Sequence, residues 1–309
     1  MSAVTVSDGI GSSLAEVVRS VIAEIRPKLI EAAFSGNTGE SDNIRHGDNF
    51  LSVHDMWMHE RYKALLADRL GSFVYASEEA EPEVVGTEPE PDLCILVDPL
   101  DTSELAVRGL NGYTHVMAYS RSLARPVASV VGDIYHHIQL YVAARDVDGV
   151  DRAFAVAADN LCRPLMVRAP KRLSESLVTN FLMRPMERFV PLSQQEGLLQ
   201  ALGAPAPDGK QRGRIGLDFG SVSLCHVAAG FTEAVIEFAK GFAIWDLAPG
   251  HYILTAAGGV VVDLDGDPIT LDYELDSKAN IAKAMDRRQT FIAAGSEQLA
   301  REIAQALAV

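Results

Sequence analysis

The chain has 309 residues, 48% of them hydrophobic, and its 42 Asp and Glu against 27 Lys and Arg leave a net charge of −15. That length and composition fit one large globular domain or two modest ones, and the negative surface repels nucleic acid and anionic membranes, so neither is an expected partner. No run of about 18 apolar residues marks a membrane span, the stretch MSAVTVSDGIGSS lacks the basic and apolar regions of a signal peptide, and Cys94, Cys162 and Cys225 are scattered as reduced thiols of a cytoplasmic protein would be.

Apolar residues recur at helical spacing over Leu14–Phe34, where Pro27 can kink the helix. Residues 35–47 are polar and glycine-containing and read as a loop, and Val53–Leu70 reads as a second helix with Asp55 near its start. Ser72–Tyr75 reads as a short strand ending at Glu78-Glu79, and Glu81–Asp92, dense in acid and proline, as a solvated loop. Leu93–Val97 is a strand leading into VDPLDTSE, residues 97–104. Strand patterns follow at Thr114–Tyr119, Val127–Tyr135, Ile138–Ala144 and Arg152–Val156, which predicts an antiparallel sheet.

After about residue 160 strands and helices alternate: Leu177–Phe181, a helix near Leu192–Leu202, a segment Ser221–Ala229, a strand Ala234–Phe238, a helix Leu247–Ala257, strands Val260–Val262 and Thr290–Ala293, and a closing helix Glu297–Leu307. The pattern predicts an α+β domain over 1–160, with the antiparallel sheet and the DPLD turn, and an α/β domain over 161–309 that carries Trp245-Asp246.

Four acidic features share one placement, the junction of an apolar segment with a loop or helix start: Asp55, Glu78-Glu79, the pair Asp98 and Asp101, and Asp246. Each has an ordinary explanation. An Asp before a helix is most often an N-cap worth ~1 kcal/mol, and Pro with Asp suits a turn. Together they suit a hard divalent cation such as Mg²⁺, which takes oxygen ligands and keeps water and phosphate in its shell. Acidity does not exclude an anionic substrate, because bound cations reverse the local field.

The combination resembles the inositol monophosphatase superfamily of Mg²⁺-dependent, lithium-sensitive sugar phosphatases. The family's GEE, DPxDGT and WDxAAG elements read here SEE (77–79), DPLDTS (98–103) and WDLAPG (245–250). Ser52-Val53-His54-Asp55 falls where the family has Thr-x-x-Asp, Gly220-Ser221 opens its GSAA-type helix, Glu237 stands where it often places a substrate-binding acid, and Ala257-Gly258-Gly259-Val260 matches its EAGG segment. The resemblance covers about residues 13–305 and implies the layered αβαβα sugar-phosphatase fold.

It also implies roles. Glu78, Asp98, Asp101, Asp246 and the carbonyl of Leu100 would hold two or three Mg²⁺ ions, with Asp98 bridging two of them. Glu78, Ser103 and Asp55 would be catalytic, Ser103 orienting the attacking water and Asp55 accepting from its hydroxyl. Asp101, Thr102, Ser103, Ser221, Glu237 and Asp246 would touch the substrate, and backbone amides at 102–104 would cradle its phosphate. The implied protein is a homodimer that hydrolyses a small phosphorylated polyol, sugar or nucleotide. Bisphosphate nucleotidase and fructose-1,6-bisphosphatase activities belong to the same scaffold, and a non-hydrolytic metal- or ligand-binding member is the alternative.

Three departures from the family pattern stand out. Thr102 replaces a glycine and constrains a backbone that glycine leaves free. Glu104 adds negative charge where phosphate should bind, so it repels the anion, turns outward or holds a further cation. Arg45 is the nearest candidate for a basic residue that the family often has before Thr-x-x-Asp. The segment Glu237–Ala243 is about two residues longer than in simple inositol phosphatases, and Arg184, Arg188, Lys210, Arg212 and Arg214 could meet a second phosphate or form a solvated cationic patch. His136 and His137 sit in a strand pattern that points the two rings to opposite faces, and His226 and His251 read as packing or surface residues.

Overall fold

Buried β-branched and aromatic strands need a partner on every side, and in the first part of the chain they find one by pairing with their sequence neighbours. The computed structural model describes residues 9–43, 49–169 and 171–307; Arg45 lies outside them. By internal packing the chain divides into two compact units, Met1–Pro164 with Leu271–Asp286, and Leu165–Thr270 with Arg287–Val309.

In the first unit, helix α1 (Ile10–Ser35) runs unbroken through Pro27. Strand β1 (Glu40–Ser41) falls inside the segment 35–47 read as a loop and pairs with β2 (Leu51–Ser52), and helix α2 (Val53–Leu70) follows directly. Then come β3 (Phe73–Ser77), β4 (Ala80–Val85), β5 (Leu93–Asp101), the single turn α3 (Ser103–Ala106), β6 (Tyr113–Ser120), β7 (Arg125–Asp133), β8 (Ile138–Arg145), β9 (Asp151–Ala157) and β10 (Cys162–Pro164). They form one sheet in the order β10-β9-β8-β7-β6-β5-β3-β4. Its pairs are antiparallel except β3 with β5.

Two readings change here. The acidic segment after Glu79 is not all loop, because β4 turns back on β3 as an edge strand, and an edge tolerates Pro82 and exposed charge. His136 and His137 are not in a strand but at the exposed bend between β7 and β8. Helices α1 and α2 cover the sheet with Val18, Ile22, Ile25, Met58, Tyr62 and Leu66, against Ile95, Val97, Val116, Val130 and Leu140. Gly132 on β7 lets α1 approach, since a Cβ there would lie 2.8 Å from both Ile22 and Val18.

The second unit begins with β11 (Leu177–Asn180), and the helix expected at 192–202 is divided into α4 (Val190–Ser193) and α5 (Glu196–Gly203). There follow β12 (Arg214–Leu217), α6 (Gly220–Ala228), β13 (Ala234–Ala243), α7 (Ile244–Ala256) and β14 (Val260–Val262). Helix α8 (Lys278–Asp286), which no sequence pattern had marked, belongs to the first unit. The second unit closes with β15 (Arg288–Ala294) and α9 (Glu297–Ala306). Its sheet runs β12-β11-β13-β15-β14, with β11 parallel to both of its neighbours. Leu198 and Leu202 of α5 and Leu299 and Ile303 of α9 bury against Ile236 and Ile292 of the sheet.

Each unit therefore layers helices on a mixed sheet, the α+β layered class expected. Among the described residues, no helix is long and apolar enough to cross a membrane, and all three cysteines are free thiols.

His251, on α7, is buried, and loss of solvent lowers its pKa to about 3. An unfolded chain takes up that proton near pH 6.5 and the folded protein does not, so His251 stabilises the fold above that pH and the contribution is lost as pH falls. Denaturant unfolding between pH 7 and 5 should show wild type losing about 2 kcal/mol more stability than His251→Gln; equal losses would contradict this.

Candidate metal centre

Asp98 and Asp101 are three residues apart, and in a regular strand an odd spacing sends side chains to opposite faces. Strand β5 avoids this by a bulge. Against β6, Asp98 pairs with His115 and Asp101 with Tyr113, three steps on one strand for two on the other. The extra residue turns Asp101 back to the face of Asp98, and Pro99, with no N–H to give the ladder, sits inside the bulge.

His115, directly across from Asp98, therefore points at both carboxylates. Its Nδ1 lies 3.6 Å from Asp98 Oδ2 and its Nε2 3.4 Å from Asp101 Oδ2. Asp98 and His115 are buried and Asp101 is half-buried. One ligand atom from each of the three lies within 4.8 Å of the others. Two hard carboxylate oxygens and an imidazole nitrogen so gathered fit a divalent cation by donor chemistry. His115 was missed in the sequence because nothing local marks it; only the register of β6 on β5 does.

The Asp98–Asp101 turn is tied to helix α2. Ser52 caps that helix and Asp55 stands at its third position, so Asp55 is the acid of a capping box and not the cap itself. Asp55 Oδ2 accepts from the Ser52 amide at 2.8 Å and from its hydroxyl at 2.6 Å. Its other oxygen, Oδ1, is hydrogen-bonded to the Ser103 hydroxyl. Burial raises the Asp55 pKa, and the bonds from Ser103 and Ser52 oppose that shift. Ser103 Oγ also lies 2.7 Å from the carbonyl of Leu100. Asp55, Leu100 and Ser103 are thus brought together.

Glu78 follows β3 in a turn. The parallel register that pairs Ser77 with Val97 places Glu78 alongside the carboxylate end of β5, and its amide donates to Val97 O at 3.2 Å. It is outside the 4.8 Å cluster.

Thr102 has φ 60° and ψ 40°, the left-handed region, where a β-branched residue is strained; its hydroxyl donates to Asp101 O at 2.6 Å. Helix α3 is a single turn, too short to lend a macrodipole to phosphate. Glu104 turns along it to Arg108, with Arg108 Nη2 donating to Oε1 at 2.9 Å.

In the second unit two expected substrate contacts are occupied otherwise. Ser221 is buried; its hydroxyl donates to Asp246 O at 2.6 Å and accepts from the Gly250 amide at 3.1 Å, which pins α6 to α7. Glu237 is also buried. Its Oε1 accepts from the amides of Ala239, Lys240 and Gly241 at 3.1, 2.9 and 3.1 Å, and its carboxylate is ion-paired with Arg188. The extra residues of 237–243 are a bulge of β13 against β15, folded around that carboxylate.

Arg188 is not a solvated cation, because it packs over Phe181 at 4.5 Å. Burial lowers its pKa to about 10, and the charge of Asp246 opposes that shift. Lys210, Arg212 and Arg214 are exposed, and Arg212 is paired with Asp208. Asp246 stands third in α7, whose N-cap is Ala243, so here too the acid is not the cap. His226 Nδ1 lies 2.8 Å from Asp218 Oδ2.

A family model for the inositol monophosphatase family matches residues 12–306. A bifunctional NADP phosphatase/NAD kinase of Methanococcus maripaludis is 37% identical over 65 residues, 20% of this chain and only 12% of that protein. Human inositol monophosphatase 2 is 26% identical over 264 residues, 83% of this chain and 78% of that one. Among solved structures, the extragenic suppressor protein suhB from Bartonella henselae superposes with a TM-score of 0.65 at 20% identity, covering 94% of this chain and 97% of the other.

The strain at Thr102 is testable without substrate. Thr102→Gly relieves the left-handed backbone, whereas Thr102→Val keeps the strain and loses the hydroxyl bond. Urea denaturation should therefore find the glycine variant more stable than the valine variant by about 1–2 kcal/mol; equal midpoints would contradict it.

Proposed function

The chain belongs to the inositol monophosphatase family, and from that premise we propose that it is a divalent-metal-dependent phosphomonoesterase acting on a small phosphorylated polyol, sugar or nucleotide. The observation that carries the reading is the bulge of β5, which turns Asp98 and Asp101 to one face beside the Leu100 carbonyl and the Ser103–Asp55 pair.

In this reading Glu78, Asp98, Asp101, the Leu100 carbonyl and Asp246 hold two or three Mg²⁺ ions, Asp246 being assigned by the family pattern. What such cations supply, when bound, is a lowered pKa for water and neutralisation of phosphate oxygens. The remaining work belongs to side chains. Asp55, fixed by the start of α2, holds Ser103 in one rotamer, and Ser103 and Glu78 orient the water for attack on phosphorus. The amide at Thr102 faces the phosphate only if the strained turn persists with substrate bound.

Substrate choice rests on residues other than Glu237 and Ser221, whose polar atoms are engaged within the second unit. Arg188 is engaged with Glu237, so a second phosphate would fall to Arg184 or to the exposed Lys210, Arg212 and Arg214; this is the bisphosphate-nucleotidase or fructose-1,6-bisphosphatase variant of the proposal. The proposal also takes the protein as a cytoplasmic homodimer whose partner is a small phosphorylated metabolite, with no nucleic acid or membrane involved. A second reading, a member that binds metal and phosphosugar without turnover, is favoured by the left-handed Thr102.

Phosphate release from a panel of inositol, sugar and nucleotide phosphates, with and without Mg²⁺, distinguishes the two. Metal-dependent release that Asp98→Asn lowers at least about 100-fold is expected. Binding by calorimetry with no release from any substrate would favour the second reading and overturn the first.

A further inference from the structure

His115 has no part in the roles just assigned, yet it stands among them by construction. The antiparallel register sets it directly opposite Asp98, and opposed residues of a sheet share a face. It is fully buried, with one nitrogen facing each carboxylate, 3.6 Å from Asp98 Oδ2 and 3.4 Å from Asp101 Oδ2. Both separations exceed the roughly 2.7–3.2 Å of an ordinary N–H···O bond. For whichever nitrogen binds an ion, its separation from the facing carboxylate oxygen is near the spacing of adjacent ligand atoms around one octahedral cation, about 3 Å for bonds of about 2.1 Å.

A ring can give one nitrogen lone pair to an ion while its other N–H faces a carboxylate, the usual arrangement around ligating histidines. Such a nitrogen changes which ion the position prefers. Mg²⁺ is hard, draws its affinity from charged oxygens and releases water reluctantly, so a neutral imidazole adds little for it. First-row transition ions accept imidazole readily and gain from it.

We propose that His115 is a nitrogen ligand of the cation held by Asp98 and Asp101, and that it makes this position select a transition-metal ion such as Mn²⁺ over Mg²⁺. The inference rests on the proposed function only in taking Asp98 and Asp101 as ligands; it does not require that phosphate be hydrolysed.

The test uses the whole chain, stripped of metal by chelation and loaded with Mn²⁺ alone. Calorimetry should show Mn²⁺ bound at least about 10-fold more tightly than Mg²⁺. His115→Gln should weaken Mn²⁺ about 10- to 100-fold and Mg²⁺ by less than about threefold. Pulsed electron paramagnetic resonance of the Mn²⁺ protein should show modulation from a directly bound ¹⁴N that His115→Gln abolishes. Wild-type protein grown with ¹⁵N-histidine should lose the same ¹⁴N pattern, a check that needs no folded variant.

Equal weakening of both ions by His115→Gln would make His115 a positioning residue and overturn the proposal. Stoichiometric Mn²⁺ without ¹⁴N modulation would overturn it as well and leave the carboxylate ligands standing. Failure to bind Mn²⁺ at all would overturn both this proposal and the metal-dependent reading. Nitrogen coupling without phosphate release from any substrate would support His115 and overturn the proposed function alone.

Discussion

The pairing of β5 with β6, broken once by a bulge, is the constraint on which the candidate site depends. Before the bulge, the register places Asp98 across from His115; after it, one extra residue on β5 brings Asp101 back to the same face. Without the bulge the two carboxylates would point to opposite sides of the sheet, one of them into the packing of α1 and α2. Burial of Val97 and Leu100 on either side holds the register, since a slip by one residue would exchange apolar and acidic side chains between the faces.

A second constraint acts at right angles to the first. The capping box that starts α2 uses one oxygen of Asp55 for the helix and leaves the other for Ser103. Helix start and the Asp98–Asp101 turn thus share one carboxylate, and Ser103 cannot rotate without breaking a partly buried hydrogen bond. The burial that raises the Asp55 pKa and the hydrogen bonds that lower it have one source, the enclosure of this junction. Thr102 carries the conformational cost of the turn, in a backbone region where glycine is at ease.

Periodicity made α2 and the antiparallel block legible, because strands that pair with their sequence neighbours and a two-faced helix leave local signals. The edge strand β4 was hidden by the proline and charge that edges favour, and α8 by its shortness, at 9 residues. Asp55 and Asp246 were both legible as acids at helix starts, though each stands one turn further in than a cap.

The motif resemblance singled out Glu78, Asp98 and Asp101, but side-chain engagement is three-dimensional. Nothing in the order of residues says that Arg188 closes on Glu237, far along the chain, or that Ser221 joins two helices. His115 was the costliest omission. A histidine inside an apolar strand looks like a packed core residue until the neighbouring strand is laid beside it.

The central claim is that the bulged end of β5 is a cation site. The most direct measurement is anomalous diffraction at the manganese edge from crystals equilibrated with Mn²⁺. The account predicts an anomalous peak within bonding distance of both Asp98 and Asp101. Crystals that contain Mn²⁺ but show no peak beside either carboxylate would contradict it.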